Sequence, residues 1–331
     1  MTRPEYRKAM DPIHPSTLPC VYADVPTFLA VPLARSPADL QGADAAVVGA
    51  PYQGPPGPGR VYRDSRLSPL RLRQDSIKYG GYLPELDLDV FEHLRLVDYG
   101  DAPIPLSADG EAAAALTARK VGEVLDAGVV AIVLGGTEAA ASLGAVRAFA
   151  QRSDAVGLLT LDAHGDNLED DADASGKGAS WLSLALCLPV SEPIRHAHLG
   201  LRGPRNVPGQ VEWFRRRGTR VFLAQEVLAR GLGPCLREIL EDTLSQARDS
   251  LLSVDLDVLD IGCAPGLDEP MGIAVSDLLG VCREAGRAGF RAYVIGWVPS
   301  PEPALHWIAT WSVLFFLAGI AERRGAKDKG A

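Results

Sequence analysis

Two apolar runs that end in paired acids constrain this chain more than anything else in it. Leu158-Leu159-Thr160-Leu161 leads directly into Asp162-Ala163-His164-Gly165-Asp166. Leu251-Leu252-Ser253-Val254 leads into Asp255-Leu256-Asp257-Val258-Leu259-Asp260. Each reads as a buried strand that delivers acidic side chains at its end. Side chains on a strand alternate faces, so residues two apart share a face. An extended chain would aim Asp162, His164 and Asp166 one way, and Asp255 and Asp257 likewise. Buried carboxylates repel one another and lose hydration. A divalent cation relieves both penalties. Aspartates with one histidine suit Mn, Ni, Zn or Fe better than a soft-metal site. Either stretch alone could also be a solvated acidic loop; two of them, each behind a core strand, favour the metal reading.

The rest of the chain alternates strands with helices. Ala45–Ala50 is a short strand, followed by a Gly- and Pro-rich loop, Gln53 to Gly59. That loop lacks the Lys-Ser/Thr of a phosphate-binding loop. Helices are expected over 69–79, 109–127, 138–152, 178–188, 207–217, 234–247 and 276–288, with a last one from Pro303. Further strands are expected over 94–101, 129–134, 197–202, 220–224 and 291–298. Such alternation means a parallel sheet with helices on both faces, here of about eight strands. Chemistry then gathers at the carboxyl ends of the strands. That edge would carry Tyr52, Glu138, the Asp162–Asp166 set, the Asp255/Asp257 pair and Trp297. Residues 1–42 read as an irregular proline-rich arm and Arg323–Ala331 as a polar, frayed tail. No linker divides the 331 residues, so one domain is expected.

Charge and composition narrow the partners. The net charge of −9 argues against nucleic acid. Five scattered cysteines with no CxxC read as reduced thiols of a cytoplasmic protein. Ala304–Ile320 is apolar but shorter than a bilayer span and contains His306, so a buried or interface helix is expected rather than a membrane anchor. His196 and His198 flank a strand and read as core histidines.

Taken together, these motifs resemble the ureohydrolases, the arginase and agmatinase family. Asp162-Ala163-His164-Gly165-Asp166 is similar to the family's DAHxD signature, and Ser253 to Asp260 with Ala264-Pro265-Gly266 is similar to its SxDxDxxDPxxAPG signature. Gly49-Ala50-Pro51-Tyr52, Gly135-Gly136 and Glu269-Pro270-Met271-Gly272 extend the match. The resemblance implies an arginase-like, three-layer α/β/α fold with an eight-stranded, mainly parallel sheet. It also implies a binuclear divalent metal centre, Ni or Mn, that activates water against the carbon of a guanidinium or amidine. Asp162 and Asp255 would bridge the two metals, Asp166 would bind one, and His164 and Asp257 the other.

Three departures from the family pattern bear on function. Thr137-Glu138 stands where the family has Asp-His, so Glu138 would be a sixth metal ligand, and the least secure one. Lys177 stands where a histidine serves the active site, and its charge would repel a cationic substrate or pair with Glu138. Trp297 stands where a glutamate anchors the guanidinium, and it would plug the pocket or offer a cation–π wall. With Tyr52, Lys177 and Trp297 are the candidate substrate contacts, although Gln53 replaces an expected aspartate. No residue is assigned as catalytic; if the chain is active, the His164–Asp166 segment would carry the chemistry. Together the departures resemble the degenerate beta subunit of hetero-oligomeric, nickel-dependent ureohydrolases that cleave biguanides. That resemblance implies a paralogous catalytic subunit as partner, a hexameric assembly, and conversion of metformin to guanylurea and dimethylamine. The alternative is a self-sufficient metallohydrolase with a rebuilt pocket.

Overall fold

The computed structural model describes residues 25–54, 64–168, 180–298 and 301–328. Its strands are β1 (Ala45–Ala50), β2 (Tyr82–Leu83), β3 (Leu88–Asp89), β4 (Leu96–Asp101), β5 (Val130–Gly135), β6 (Val156–Leu161), β7 (Arg195–Leu201), β8 (Arg220–Leu223), β9 (Asp249–Asp255) and β10 (Ala292–Trp297). β2 and β3 form a small antiparallel pair. The other eight form one sheet in the order β4-β1-β5-β10-β9-β6-β7-β8, parallel throughout. The central strands are apolar on both faces because helices cover both. Val47, Ile132, Leu159, Val254 and Tyr293 face one apolar core, and Ala46, Val133, Leu158, Leu251 and Val294 face the other. The fold is therefore the three-layer α/β/α arrangement expected from the sequence.

The helices are α1 (Ser68–Ser76), α2 (Val90–His93), α3 (Gly110–Asp126), α4 (Ala141–Ala150), α5 (Trp181–Leu186), α6 (Gln210–Arg216), α7 (Ala224–Arg230), α8 (Leu232–Glu238), α9 (Val275–Ala288) and α10 (Pro303–Asp328). Local chemistry sets several boundaries. Asp109 caps α3 by accepting from the Ala112 N–H at 2.9 Å, and Gly128 ends its turn at φ 75°. The helix expected over 234–247 starts at Leu232 and passes into a π turn, Ile239–Thr243. The one expected over 207–217 starts only at Gln210. α7 was not expected, since two turns are too short to display a period.

Both termini depart from expectation. The described part of the N-terminal arm is built into the body: Phe28 is buried, and its N–H donates to Asp98 Oδ2 at 2.8 Å. The polar tail is not frayed from Arg323, because α10 runs on to Asp328 and Arg324 pairs with Asp44. The apolar stretch is a core helix: 72% of its most apolar window is buried within the protein. Gly286 of α9 and Gly319 of α10 allow their backbones to touch, since a Cβ on Gly319 would lie 2.0 Å from the Arg283 carbonyl oxygen.

Candidate metal centre

Sheet order brings the acidic side chains together. β5, β10, β9 and β6 are neighbours, and their carboxyl ends carry Glu138, Trp297, Asp255 and Asp162 in that order. Trp297 lies opposite Asp255, and Leu161 opposite Val254, so Asp162 follows level with Asp255.

Turns, not an extended chain, aim the ligands. β6 stops at Leu161, and Asp162 Oδ1 accepts the His164 N–H at 2.6 Å. Asp166 adopts the left-handed region, φ 41°. β9 ends at Asp255, whose Oδ1 accepts the Asp257 N–H at 2.8 Å over a 3-10 turn, Leu256–Val258. The period-two reading thus expected the wrong backbone. Carboxylates closing onto the second following N–H bend the chain. The Ala163 N–H donates to Asp257 Oδ1 at 3.0 Å, which ties the two turns together.

Two groups of side chains could each hold an ion. Asp162, His164 and Asp257 form one; Glu138, Asp162 and Asp166 form the other, and the candidate donor atoms within each lie within 4.8 Å of one another. Asp162 belongs to both. Asp255 is buried beside them but in neither group. Burial, joined by the charges of Asp166 and Asp255, pushes the Glu138 carboxyl well above its usual range. Burial and the Asp257 charge do the same to Asp162 and Asp255. Asp257 is different. Burial pushes it up, but hydrogen bonding and attraction to His164 outweigh that and hold it low. His164 rises in turn: burial opposes its charge, but the Asp257 bond prevails.

His164 also reveals a residue the motif reading did not place in the site. Its Nδ1 lies 2.8 Å from Asp257 Oδ2, and its Nε2 lies 3.1 Å from Glu269 Oε1. Glu269 is 4% exposed. Its presence in the Glu269-Pro270-Met271-Gly272 match was the only available signal. The loop after β7 closes the site from the other side: Asn206 Oδ1 accepts the Gly165 N–H at 2.9 Å, and Asn206 Nδ2 donates to the Ala163 carbonyl at 3.0 Å.

The other candidates fall in varied places. Trp297 is half-buried, with its indole Nε1 buried and, among the described residues, without a hydrogen-bond partner. Tyr52 packs its ring into the core under α3 and α4, beside Gly110. Lys177 lies outside the described residues, as does the remainder of the loop after Gly54. His196 is bonded at both ring nitrogens, to Thr160 and Thr219 hydroxyls at 3.0 and 3.1 Å. His198 packs against Phe214, and burial pushes it down to about 4.

Residues 43–294 match the model of the arginase family. The chain belongs to the arginase family. Among curated relatives, this family member is 27% identical over 268 residues to the proclavaminate amidinohydrolase of Streptomyces clavuligerus, covering 80% of this chain and 82% of that protein. It is 27% identical over 250 residues to the guanidinobutyrase of Pseudomonas aeruginosa, covering 75% and 76%. The solved proclavaminate amidinohydrolase superposes with a TM-score of 0.76 at 25% identity, over 91% of this chain and 99% of that one. The arginase-like fold holds across nearly the full length of that neighbour.

Proposed function

We propose that this chain is an accessory, catalytically degenerate subunit that works beside a paralogous catalytic ureohydrolase. The assembly would be a hetero-oligomer, hexameric and cytoplasmic, that hydrolyses C–N bonds of guanidine or biguanide compounds, such as metformin to guanylurea and dimethylamine. The relatives' names, an amidinohydrolase and a guanidinobutyrase, support a substrate class of guanidino compounds.

The site's donors fit a binuclear divalent centre. Among the described residues Glu138 Oε1 is buried without a hydrogen-bond partner, and the two donor groups share Asp162. One ion, Ni or Mn, would sit with Asp162, His164 and Asp257; the other with Asp162, Asp166 and Glu138, with Asp255 alongside. When bound, such ions acidify water and polarise the carbon it attacks. Glu269 holds the His164 ring at Nε2, so that Nδ1, 2.8 Å from Asp257 Oδ2, would face the ion held with Asp257, and Asn206 braces the backbone of the following turn.

The observation that carries the degenerate reading is Glu138. Glu138, Asp162, Asp166, Asp255 and Asp257 give five carboxylates against the four charges of two divalent ions. The surplus negative charge lowers the capacity of the centre to acidify water. Trp297 adds to this: the strand end opposite Asp255 holds an indole and no carboxylate to anchor a guanidinium.

The chain expressed alone should show no urea or amine release from a panel of guanidines and biguanides. Asp162→Ala with Asp255→Ala should leave the activity of the co-purified complex intact. Loss of that activity would sink the accessory reading. A second reading, a self-sufficient hydrolase with a rebuilt pocket, draws on the two intact donor groups. Two metals per chain and turnover alone would decide for it.

A further inference from the structure

The Arg202 guanidinium has an unusual set of partners. It is half-buried in the loop after β7, close to a site crowded with carboxylates, yet among the described residues its hydrogen bonds all run to backbone carbonyls. Nε donates to the Pro270 oxygen at 2.7 Å and Nη1 to the Gly200 oxygen at 3.2 Å. Nη2 donates to the carbonyls of Asp257, Leu259 and Glu269 at 2.7, 2.9 and 3.0 Å.

Those carbonyls belong to three separate segments. Gly200 is in β7, Asp257 and Leu259 lie in and just after the turn that follows β9, and Glu269 and Pro270 lie in the loop beyond it. Two of the residues gripped, Asp257 and Glu269, are the ones whose carboxylates face the two ring nitrogens of His164. We infer that Arg202 is the positioning residue of the His164 half of the centre: it fixes the distance between the Asp257 turn and the Glu269 loop, and so the orientation of the imidazole between them. The other donor group depends on different supports. Glu138 sits at the start of α4, where its carbonyl accepts the Ser142 and Leu143 N–H groups, and the Asp166 carbonyl accepts those of Leu182 and Ser183. Arg202 touches none of these.

Lysine cannot replace this grip. Its ammonium carries three donors on one atom, whereas the guanidinium spreads five across a rigid fork. Groups that orient metal ligands typically change metal affinity by roughly 10–100-fold when removed. The effect here should be confined to one ion.

This inference rests on the two-ion reading above, and the experiment separates the two. Mn2+ binding is titrated calorimetrically on the full chain as wild type, Arg202→Ala and Arg202→Lys. The His164 ring nitrogens are followed in the same metal-free samples by 15N NMR, with His164→Gln assigning the signals. Arg202→Ala should weaken one of two binding steps by roughly 10–100-fold and leave the other in place, with Arg202→Lys between it and wild type. Both variants should shift the His164 ring signals and leave those of His196 and His198 alone. Equal weakening of both steps would overturn the inference, as would an Arg202→Lys protein identical to wild type in both readouts. If Arg202→Ala fails to fold, Arg202→Lys decides by the same criteria. If wild type binds no Mn2+, the metal reading falls, and the ring signals alone decide: shifted supports the role of Arg202, unchanged overturns it.

Discussion

Glu138→Gln should make the metal-free protein more stable, and more so as pH rises. Glutamine keeps the shape of the side chain and removes its charge. The donor oxygens of Glu138, Asp162 and Asp166 lie within 4.8 Å of one another. At that separation two unit charges repel by about 3.5 kcal/mol for an effective dielectric near 20. Protonation relieves much of this, because Glu138, Asp162 and Asp255 are all pushed above their usual range by burial and by their neighbours. A net gain of about 1–3 kcal/mol at pH 8 is therefore the reasonable expectation, or roughly 2–6 °C in Tm for a chain of this size. The sign follows from linkage. A carboxyl whose folded pKa is raised contributes stability that is fully present below its unfolded value and is lost as pH rises through the folded one. Wild type should lose that contribution progressively as pH rises above about 4.5, the ordinary glutamate value, because the folded carboxyl is held well above it, and the variant should lose less of it. Thermal unfolding in a chelator at pH 5 and pH 8 measures the difference directly. In saturating Mn2+ the order should reverse, since the amide is the poorer ligand. A variant less stable than wild type by the same amount at both pH values would refute the reasoning, because Glu138 would then stabilise by packing or hydrogen bonding.

Three other outcomes test the scaffold. Asp98 is fully buried, takes a bidentate contact from Arg73 at 2.8 and 3.0 Å and accepts the Phe28 and Gly100 N–H groups. Asp98→Ala should cost about 3–5 kcal/mol by urea unfolding, because it removes the bidentate partner of buried Arg73, leaving it only Asp101, and unpairs two N–H groups. Gly319→Ala should cost about 1–3 kcal/mol by forcing α10 off the Arg283 and Arg287 backbone, whereas Gly325→Ala, which faces open space, should be neutral or stabilising. His198 stays neutral down to about 4. The unfolded chain protonates first, so wild type should lose stability from about pH 6.5 towards 4, and His198→Phe should flatten that slope.

Much of the architecture was legible because the sheet is covered on both faces. Runs such as Val130–Leu134 and Leu158–Leu161 have no polar face to hide, so each announces a strand by composition alone. The order of those strands was not legible. It places β9 and β10 between β5 and β6, and it is what assembles Glu138, Trp297, Asp255 and Asp162 into one site. Motifs pointed to the candidate donor residues but misjudged their backbone, since Asp162 and Asp255 each close a turn that an alternating pattern does not encode. Glu269 and Arg202 act on residues far off in sequence, through one side-chain contact and several carbonyl bonds, and neither leaves a local periodic trace.

On the accessory-subunit reading proposed above, an arginase-family chain would keep its candidate metal ligands after losing the groups that use a substrate. Four buried carboxylates, Glu138, Asp162, Asp255 and Asp257, with the half-buried Asp166 beside them, are costly without a cation, whatever the chain does catalytically. An ion that binds the folded state alone stabilises it by about 4 kcal/mol at a thousandfold excess over its Kd. Selection for a stable fold is then enough to retain Asp162, His164, Asp166, Asp255 and Asp257. Trp297 is under no such requirement, and Glu138 has only to remain a donor. On that reading both positions, at the end of β10 and in the turn before α4, are free to change once another subunit carries the reaction. Retained ligands therefore bear on folding, and the altered Glu138 and Trp297 positions bear on catalysis. This is why the double substitution at Asp162 and Asp255 should be read on assembled complex: it can lower stability and metal content while leaving turnover at the partner's site unchanged.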